Sequence, residues 1–201
     1  MSKTVWMFPG QGAQKVGMAK DFYENSTLAR QLFDEADAAL DFDLKDTCFE
    51  ENEQIHLTEY TQPCLVTACL AMAAELRKRG FRPDMTAGLS LGEYAAIAAA
   101  GGMSPPDAIR LVRKRGLLMQ NTIPAGEGAM CAVLGMETPV IETVLSGVDG
   151  VTIANYNCPG QLVITGRTAA VETAAEKLKA AGARRVVPLK VSGPFHSPLL
   201  E

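Results

Sequence analysis

The chain has 201 residues, 47% of them hydrophobic and 21% charged, which is the balance of a folded chain of one or two domains with enough apolar material for a core. Its formal net charge of -4 gives no electrostatic case for nucleic acid. No apolar stretch free of breakers reaches the length of a membrane span, and the opening MSKTVWMFPGQG is broken too early for a secretory signal, so a cytoplasmic location is expected.

Thr4 to Phe8 is a short apolar run stopped by Pro9-Gly10-Gln11-Gly12, which predicts a buried strand and a tight loop. No Gly-Lys-Ser/Thr follows, and Lys15 stands where a dinucleotide fingerprint needs its third glycine, so nucleotide binding is not expected. Standing alone, the loop is a simple turn. Helices are predicted over Leu28 to Leu40 and over Pro63 to Arg79, the second ending at Gly80. Met85 to Gly88 reads as a strand and Leu91 to Ala100 as a helix closed by Gly101-Gly102.

At the junction of that strand and helix, Ser90 stands between Gly88 and Gly92, the pattern of a nucleophile elbow. A tight strand-to-helix turn exposes the hydroxyl and leaves no room for a Cβ two residues away on either side. Ser90-Leu91-Gly92-Glu93 also fits a capping box, in which serine and glutamate satisfy free amides. The next predicted helix runs from Pro105 to Gln120. At about 100° per residue, Arg110, Arg113 and Lys114 fall on one side, while Arg115 falls among Ala108, Leu111, Val112, Leu118 and Met119. An arginine aimed inward needs an anion: a structural carboxylate, or a substrate carboxylate held bidentately.

Alternating strands and helices up to this point argue for an α/β core with parallel strands. From Ala129 the order becomes strand (Ala129 to Met136), helix (Pro139 to Leu145), strand (Val151 to Tyr156), strand (Leu162 to Thr165), helix (Ala169 to Ala180) and strand (Arg185 to Val191). This βαββαβ series matches a ferredoxin-like unit, with Asn157-Cys158-Pro159-Gly160 as the turn between the central strands. Val171, Ala174, Ala175 and Leu178 give its second helix one apolar face. Residues 126–191 are expected to form this inserted subdomain, and residues 1–125 with 192–201 a catalytic domain.

A serine nucleophile needs a base, and the chain offers only His56 and His196. His56, in ENEQIHLTE, reads as an exposed loop histidine. His196 follows the last predicted strand in the loop from Ser192 to Pro198, where catalytic residues of α/β folds gather. Alone it is a turn histidine; beside Ser90 it is the candidate base. The loop at Gln11 ends at the same sheet edge as the elbow, so the backbone amides of Gln11 and Leu91 are placed to form an oxyanion hole. The five cysteines, Cys48, Cys64, Cys69, Cys131 and Cys158, have no CxxC spacing and read as core thiols of a reducing compartment; a zinc site is not expected.

Taken together, FPGQGAQ (Phe8 to Gln14), YTQP (Tyr60 to Pro63), GLSLGEYAA (Gly88 to Ala96), RKRGLLMQ (Arg113 to Gln120), NYNCPGQLVITG (Asn155 to Gly166) and GPFHS (Gly193 to Ser197) closely resemble the malonyl-CoA:acyl carrier protein transacylases. The resemblance implies an α/β-hydrolase-like parallel-sheet large domain with an inserted ferredoxin-like subdomain, and a site in the cleft between them. It implies Ser90 as nucleophile, His196 as general base and acid, Arg115 as the clamp on the malonyl carboxylate, and the amides of Gln11 and Leu91 as the oxyanion hole. Gln62 is implied as a cleft residue, and Phe195 beside the base as a limit on bulk that favours malonyl over methylmalonyl. The implied partners are malonyl-CoA and acyl carrier protein, in fatty acid or polyketide synthesis, with the CoA thioester as substrate and no bound cofactor. A serine hydrolase or thioesterase is the rival enzyme, and an inactive truncated fragment the rival without activity.

Two departures from the family stand out. Leu89 occupies the place where many relatives carry histidine before the nucleophile, and altered packing there is expected. The family's chain also continues past GPFHS, in a part that completes the large domain and carries a glutamine whose backbone orients the histidine.

Overall fold

In a computed structural model of the chain, the described residues are 2–124, 126–189, 191 and 193–201. They divide into two compact units, Met1–Leu118 and Met119–Glu201. Residues 192–201 are therefore counted with the second unit, and Lys190 and Ser192, within the last predicted strand and the loop after it, lie outside the described residues.

The first unit is built on two parallel strands, β1 (Val5–Phe8) and β2 (Met85–Gly88), paired from Val5↔Met85 to Phe8↔Gly88. Between them the chain forms α1 (Lys20–Asn25), α2 (Thr27–Ala39), α3 (Leu44–Phe49), a short 3-10 turn (Gln54–His56) and α4 (Thr58–Lys78). After β2 come α5 (Gly92–Ala99) and α6 (Pro105–Asn121). The helix α4 is the centre of this unit. Its run CLVTACLAMAA is apolar or small on every side, which is the composition of a helix surrounded by protein, and residues from Thr61 to Ala71 are buried without a break. Leu65, Val66, Ala68 and Leu70 pack in one core with Phe33 of α2, Leu44 of α3 and Ala95 of α5.

Two local rules set boundaries here. Ser26 starts α2 by accepting from the Ala29 amide at 3.3 Å while its hydroxyl donates to Glu75 at 2.6 Å. Asp43 starts α3 by accepting from the Asp46 amide at 2.7 Å. The sequence reading misses α1 and α3 altogether, because helices of a turn and a half carry too little periodicity to register. It also starts α4 too late: Pro63 lies inside the helix, whose first turn is Thr58 to Gln62.

The second unit is a four-stranded sheet in the order β4-β5-β3-β6, formed by β3 (Gly128–Leu134), β4 (Val151–Cys158), β5 (Gln161–Arg167) and β6 (Arg185–Pro188). Every pairing is antiparallel. Helices α7 (Thr138–Leu145) and α8 (Thr168–Ala180) connect β3 to β4 and β5 to β6. Alternation decides the faces: Cys131, Val133, Leu162 and Ile164 pack with Ile141, Leu145, Val171, Ala174 and Leu178 of the helices. Met130 and Val163, the residues between, point to the other face and pack with Phe195. Asn157 and Cys158 belong to β4, so the hairpin turn is only Pro159-Gly160, with Gly160 at φ 76°.

Candidate active site

The elbow has the geometry its glycines demand. Ser90 follows the last residue pair of the parallel ladder and sits in the left-handed region at φ 50°. A Cβ on Gly88 would lie 2.1 Å from the Gly92 carbonyl carbon, and a Cβ on Gly92 would lie 2.2 Å from the carbonyl oxygen of Phe8. The second clash shows why the turn is so tight: α5 begins directly against the end of β1. The N-cap of that helix is Leu91, which makes no side-chain capping bond. Ser90 Oγ accepts from Arg115 Nη2 at 3.1 Å.

The loop after β1 ends beside this turn. Leu89 N donates to Phe8 O at 3.2 Å, and a Cβ on Gly10 would meet Leu89 O at 2.9 Å, so loop and elbow are in contact. Gln11 is held there by its own side chain, whose Nε2 donates to Thr58 Oγ1 at 2.9 Å in the first turn of α4. Among the described residues, the amides of Gln11 and Leu91 have no hydrogen-bond acceptor. Leu89 is half exposed, and its side chain lies beside the loop, where a Cβ on Gly10 would come within 3.4 Å of Leu89 Cγ.

Arg115 projects from α6 to the elbow. Its Nη1 donates to Gln62 Oε1 at 2.8 Å, and its guanidinium lies 5.5 Å from the centre of the Tyr94 ring. Burial pulls its pKa below the usual arginine value, opposed by Tyr94 and Glu93. Among the described residues, Arg115 has no carboxylate at ion-pair distance. The structural carboxylates belong to another residue. Arg113, placed by periodicity on the polar side with Arg110 and Lys114, is buried, with Nε and Nη2 on the two oxygens of Asp41 at 2.8 and 2.9 Å and Nη1 on Glu59 Oε2 at 3.2 Å. Leu111 and Leu118, expected on the apolar face, are exposed. The wheel errs because α6 docks through Gly116, where a Cβ would come within 2.8 Å of Glu59 Cα, so the buried stripe is centred on the glycine.

His196 and Phe195 belong to the second unit. The Phe195 ring is 5% exposed against Met130 and Val163, Pro194 lies where a Cβ on Gly128 would reach its Cδ at 2.2 Å, and Ser197 Oγ donates to Pro194 O at 2.7 Å. These anchors leave His196 exposed at φ 58°, on a backbone bend that turns its side chain away from its buried neighbours. His56 is exposed, as expected.

The cysteines do not compete as nucleophiles in the core. Burial pushes Cys69 up to about 11 and raises Cys131, and a hydrogen bond with Cys64 together with burial raises Cys48. Cys158, expected in the core, is exposed at the end of β4. Among the described residues, no cluster of three His, Cys, Asp or Glu is arranged to hold a metal, and no helix is long and apolar enough to cross a membrane.

Residues 5–201 match the acyl transferase domain family. A malonyl CoA-acyl carrier protein transacylase of Bacillus subtilis (strain 168) is 48% identical across the whole of this chain, which covers 65% of that relative. The crystal structure of a malonyl CoA-acyl carrier protein transacylase from Clostridium perfringens superposes with a TM-score of 0.94 at 39% identity, over 99% of this chain and 64% of that one. A solved type II PKS acyl-carrier protein in complex with its malonyl-transacylase gives 0.95 at 40% identity, over 99% and 66%. The chain thus spans about 65% of the length of its relatives. With a family match running from the first strand to the last residue, on an elbow whose two glycines are sterically required, the chain belongs to the acyl transferase domain family.

Proposed function

We propose that the chain carries the acyl-transfer site of a malonyl-CoA:acyl carrier protein transacylase, acting in fatty acid or polyketide synthesis. The observation that carries the reading is Arg115: a half-buried guanidinium at the nucleophile, braced by Gln62 and Tyr94, with no carboxylate partner among the described residues. A cation so placed suits a substrate that brings its own carboxylate to within one acyl group of the reacting carbonyl. The proposal makes residues 1–125 with 192–201 a hydrolase-like domain and residues 126–191 an inserted ferredoxin-like subdomain. The chain order βαββαβ and the sheet order β4-β5-β3-β6 support the second assignment.

In this reading His196 takes the Ser90 proton as Oγ attacks the thioester carbonyl of malonyl-CoA. The tetrahedral oxyanion is held by the amides of Gln11 and Leu91, at the positive end of α5. Collapse expels CoA, protonated by His196, and leaves a malonyl ester on Ser90. The phosphopantetheine thiol of acyl carrier protein then attacks that ester, gives its proton to His196, and departs as the malonyl thioester while Ser90 Oγ recovers its proton. No bound cofactor enters; CoA is part of the substrate. Phe195 is assigned, on the motif, to the preference for malonyl over methylmalonyl.

Intact-mass spectrometry after brief exposure to malonyl-CoA tests the scheme. A single malonyl adduct, mapped to Ser90 and discharged by holo acyl carrier protein, is the expected result, with no adduct on the Ser90→Ala protein. An adduct that forms at a cysteine, or one released only to water, would overturn it.

A further inference from the structure

Arg113 lies two positions from Arg115, and its interactions centre on the first turn of α4. Pro63, inside that helix, has no N–H to donate to the carbonyl of Glu59 four residues back. A carbonyl left without its helical partner in a protein interior must be satisfied from elsewhere. The donor is Arg113: its Nη1 reaches Glu59 O at 2.8 Å and Glu59 Oε2 at 3.2 Å. The same guanidinium is fixed by the fork of Asp41 and lies between the rings of Phe42 and Tyr60, at 4.8 and 4.9 Å. Burial alone would lower its pKa, but Asp41, Glu59 and Tyr60 raise it, so it stays charged.

The broken turn carries the site. Thr58 holds Gln11, and Gln62 holds Arg115. Gly116, the residue after Arg115, lets α6 approach Glu59 and Thr58 at a distance no side chain would allow. Tyr60 N and Thr61 N on Leu57 O, and Thr61 Oγ1 on Ile55 O, hold other groups of this turn, and the Arg113 bond completes it at the carbonyl that Pro63 leaves without its helical donor, three residues before Gln62.

We infer that Arg113 is a positioning residue: by supplying the hydrogen bond that Pro63 cannot, it fixes the first turn of α4 against α6 and so sets the Gln62–Arg115 clamp for a carboxylate-bearing acyl group. The inference rests on the reading of Arg115 given above. A planar fork is required, because one guanidinium serves a carbonyl, a carboxylate and a bidentate aspartate at once; an ammonium cannot.

The test measures equilibrium binding of malonyl-CoA and acetyl-CoA by titration calorimetry on the Ser90→Ala protein, in which no acyl transfer intrudes. Adding Arg113→Lys should lower the preference for malonyl-CoA about tenfold, with acetyl-CoA binding changed less than about twofold. Pro63→Ala restores an N–H to the turn, so in that background Arg113→Lys should cost less than about threefold. An equal loss in both backgrounds, or an equal loss for both thioesters, would show that Arg113 serves stability alone and overturn the inference. If Arg113→Lys does not fold, Asp41→Asn removes the fork's exposed partner and is read in the same two backgrounds, with the same outcomes deciding. Should Ser90→Ala with Arg113 intact bind both thioesters equally, the reading of Arg115 falls and takes the inference with it. An unchanged preference in Arg113→Lys, with Ser90→Ala itself selective, overturns the inference only.

Discussion

Two arginines on one helix show how a residue's neighbours, rather than its type, decide its work. Arg113 is saturated by protein carboxylates while Arg115, among the described residues, is not, although both are inward cations. Arg115→Ala should therefore depress the specificity constant for malonyl-CoA by about 100-fold and that for acetyl-CoA by only a few-fold, as measured by initial rates on the two donors. Equal losses would mean that Arg115 supports the elbow rather than the substrate. Periodicity made Arg115 legible and hid Arg113, because the partners of Arg113, Asp41 and Glu59, are more than fifty positions away in sequence. No local pattern reports that. Ser90 and its flanking glycines were legible because the constraint is local: strand, turn and helix lie within a few residues. Gly92→Ala should fold poorly, at a cost of about 3 kcal/mol in chemical denaturation, since its methyl would meet the backbone of Phe8 and Pro9 rather than a side chain that can move.

At the scale of elements, the strands and long helices could be read from hydrophobic period, and their ends could not. β6 stops at Pro188 where apolar residues continue, and α4 starts a turn early because its first residues are held by Gln11, Arg113 and Ile55 rather than by propensity. The His196 loop is held by its own buried neighbours. Phe195 and Pro194 anchor it to β3 and β5, and Ser197 closes the loop on itself through Pro194 O, so His196→Ala should leave the melting temperature nearly unchanged while acylation in single turnover falls severely. Phe195→Ala should cost about 3–5 kcal/mol in the same unit. The link between α2 and α4 carries a pH signature. Hydrogen bonds from Ser26 and then Arg79 hold Glu75 below the ordinary carboxylate value of 4.5. With a folded pKa below the unfolded one, its contribution is complete above about 4.5 and is lost as pH falls through the folded value. Thermal melts below pH 4.5 should show Glu75→Gln losing less stability on acidification than the parent; parallel curves would remove Glu75 from the account.

At the scale of the molecule, the first unit carries an exposed apolar sheet face. Parallel sheets are ordinarily covered on both faces, yet Val5, Met7 and Met85 stand on one face of the β1–β2 pair with 43%, 81% and 51% exposure. β1 also borders an apolar groove of about 610 Å³ lined by Trp6, Phe8, Met18, Phe22, Leu65 and Met72. A polypeptide of these 201 residues should therefore bind a hydrophobic dye and self-associate in light scattering. Joining it to the unmatched part of the Bacillus subtilis relative should suppress both and sharpen the melt; no change would show that this face is stable in water. The left-handed backbone at Ser90 has a consequence on the same scale. An L-residue there gives up roughly 1–2 kcal/mol that glycine would not, so Ser90→Gly should melt higher than the parent while forming no acyl-enzyme. If Ser90 is the nucleophile proposed above, the residue that carries the reaction is also one at which the backbone gives up stability, and a selection for thermal resistance alone would favour replacing it.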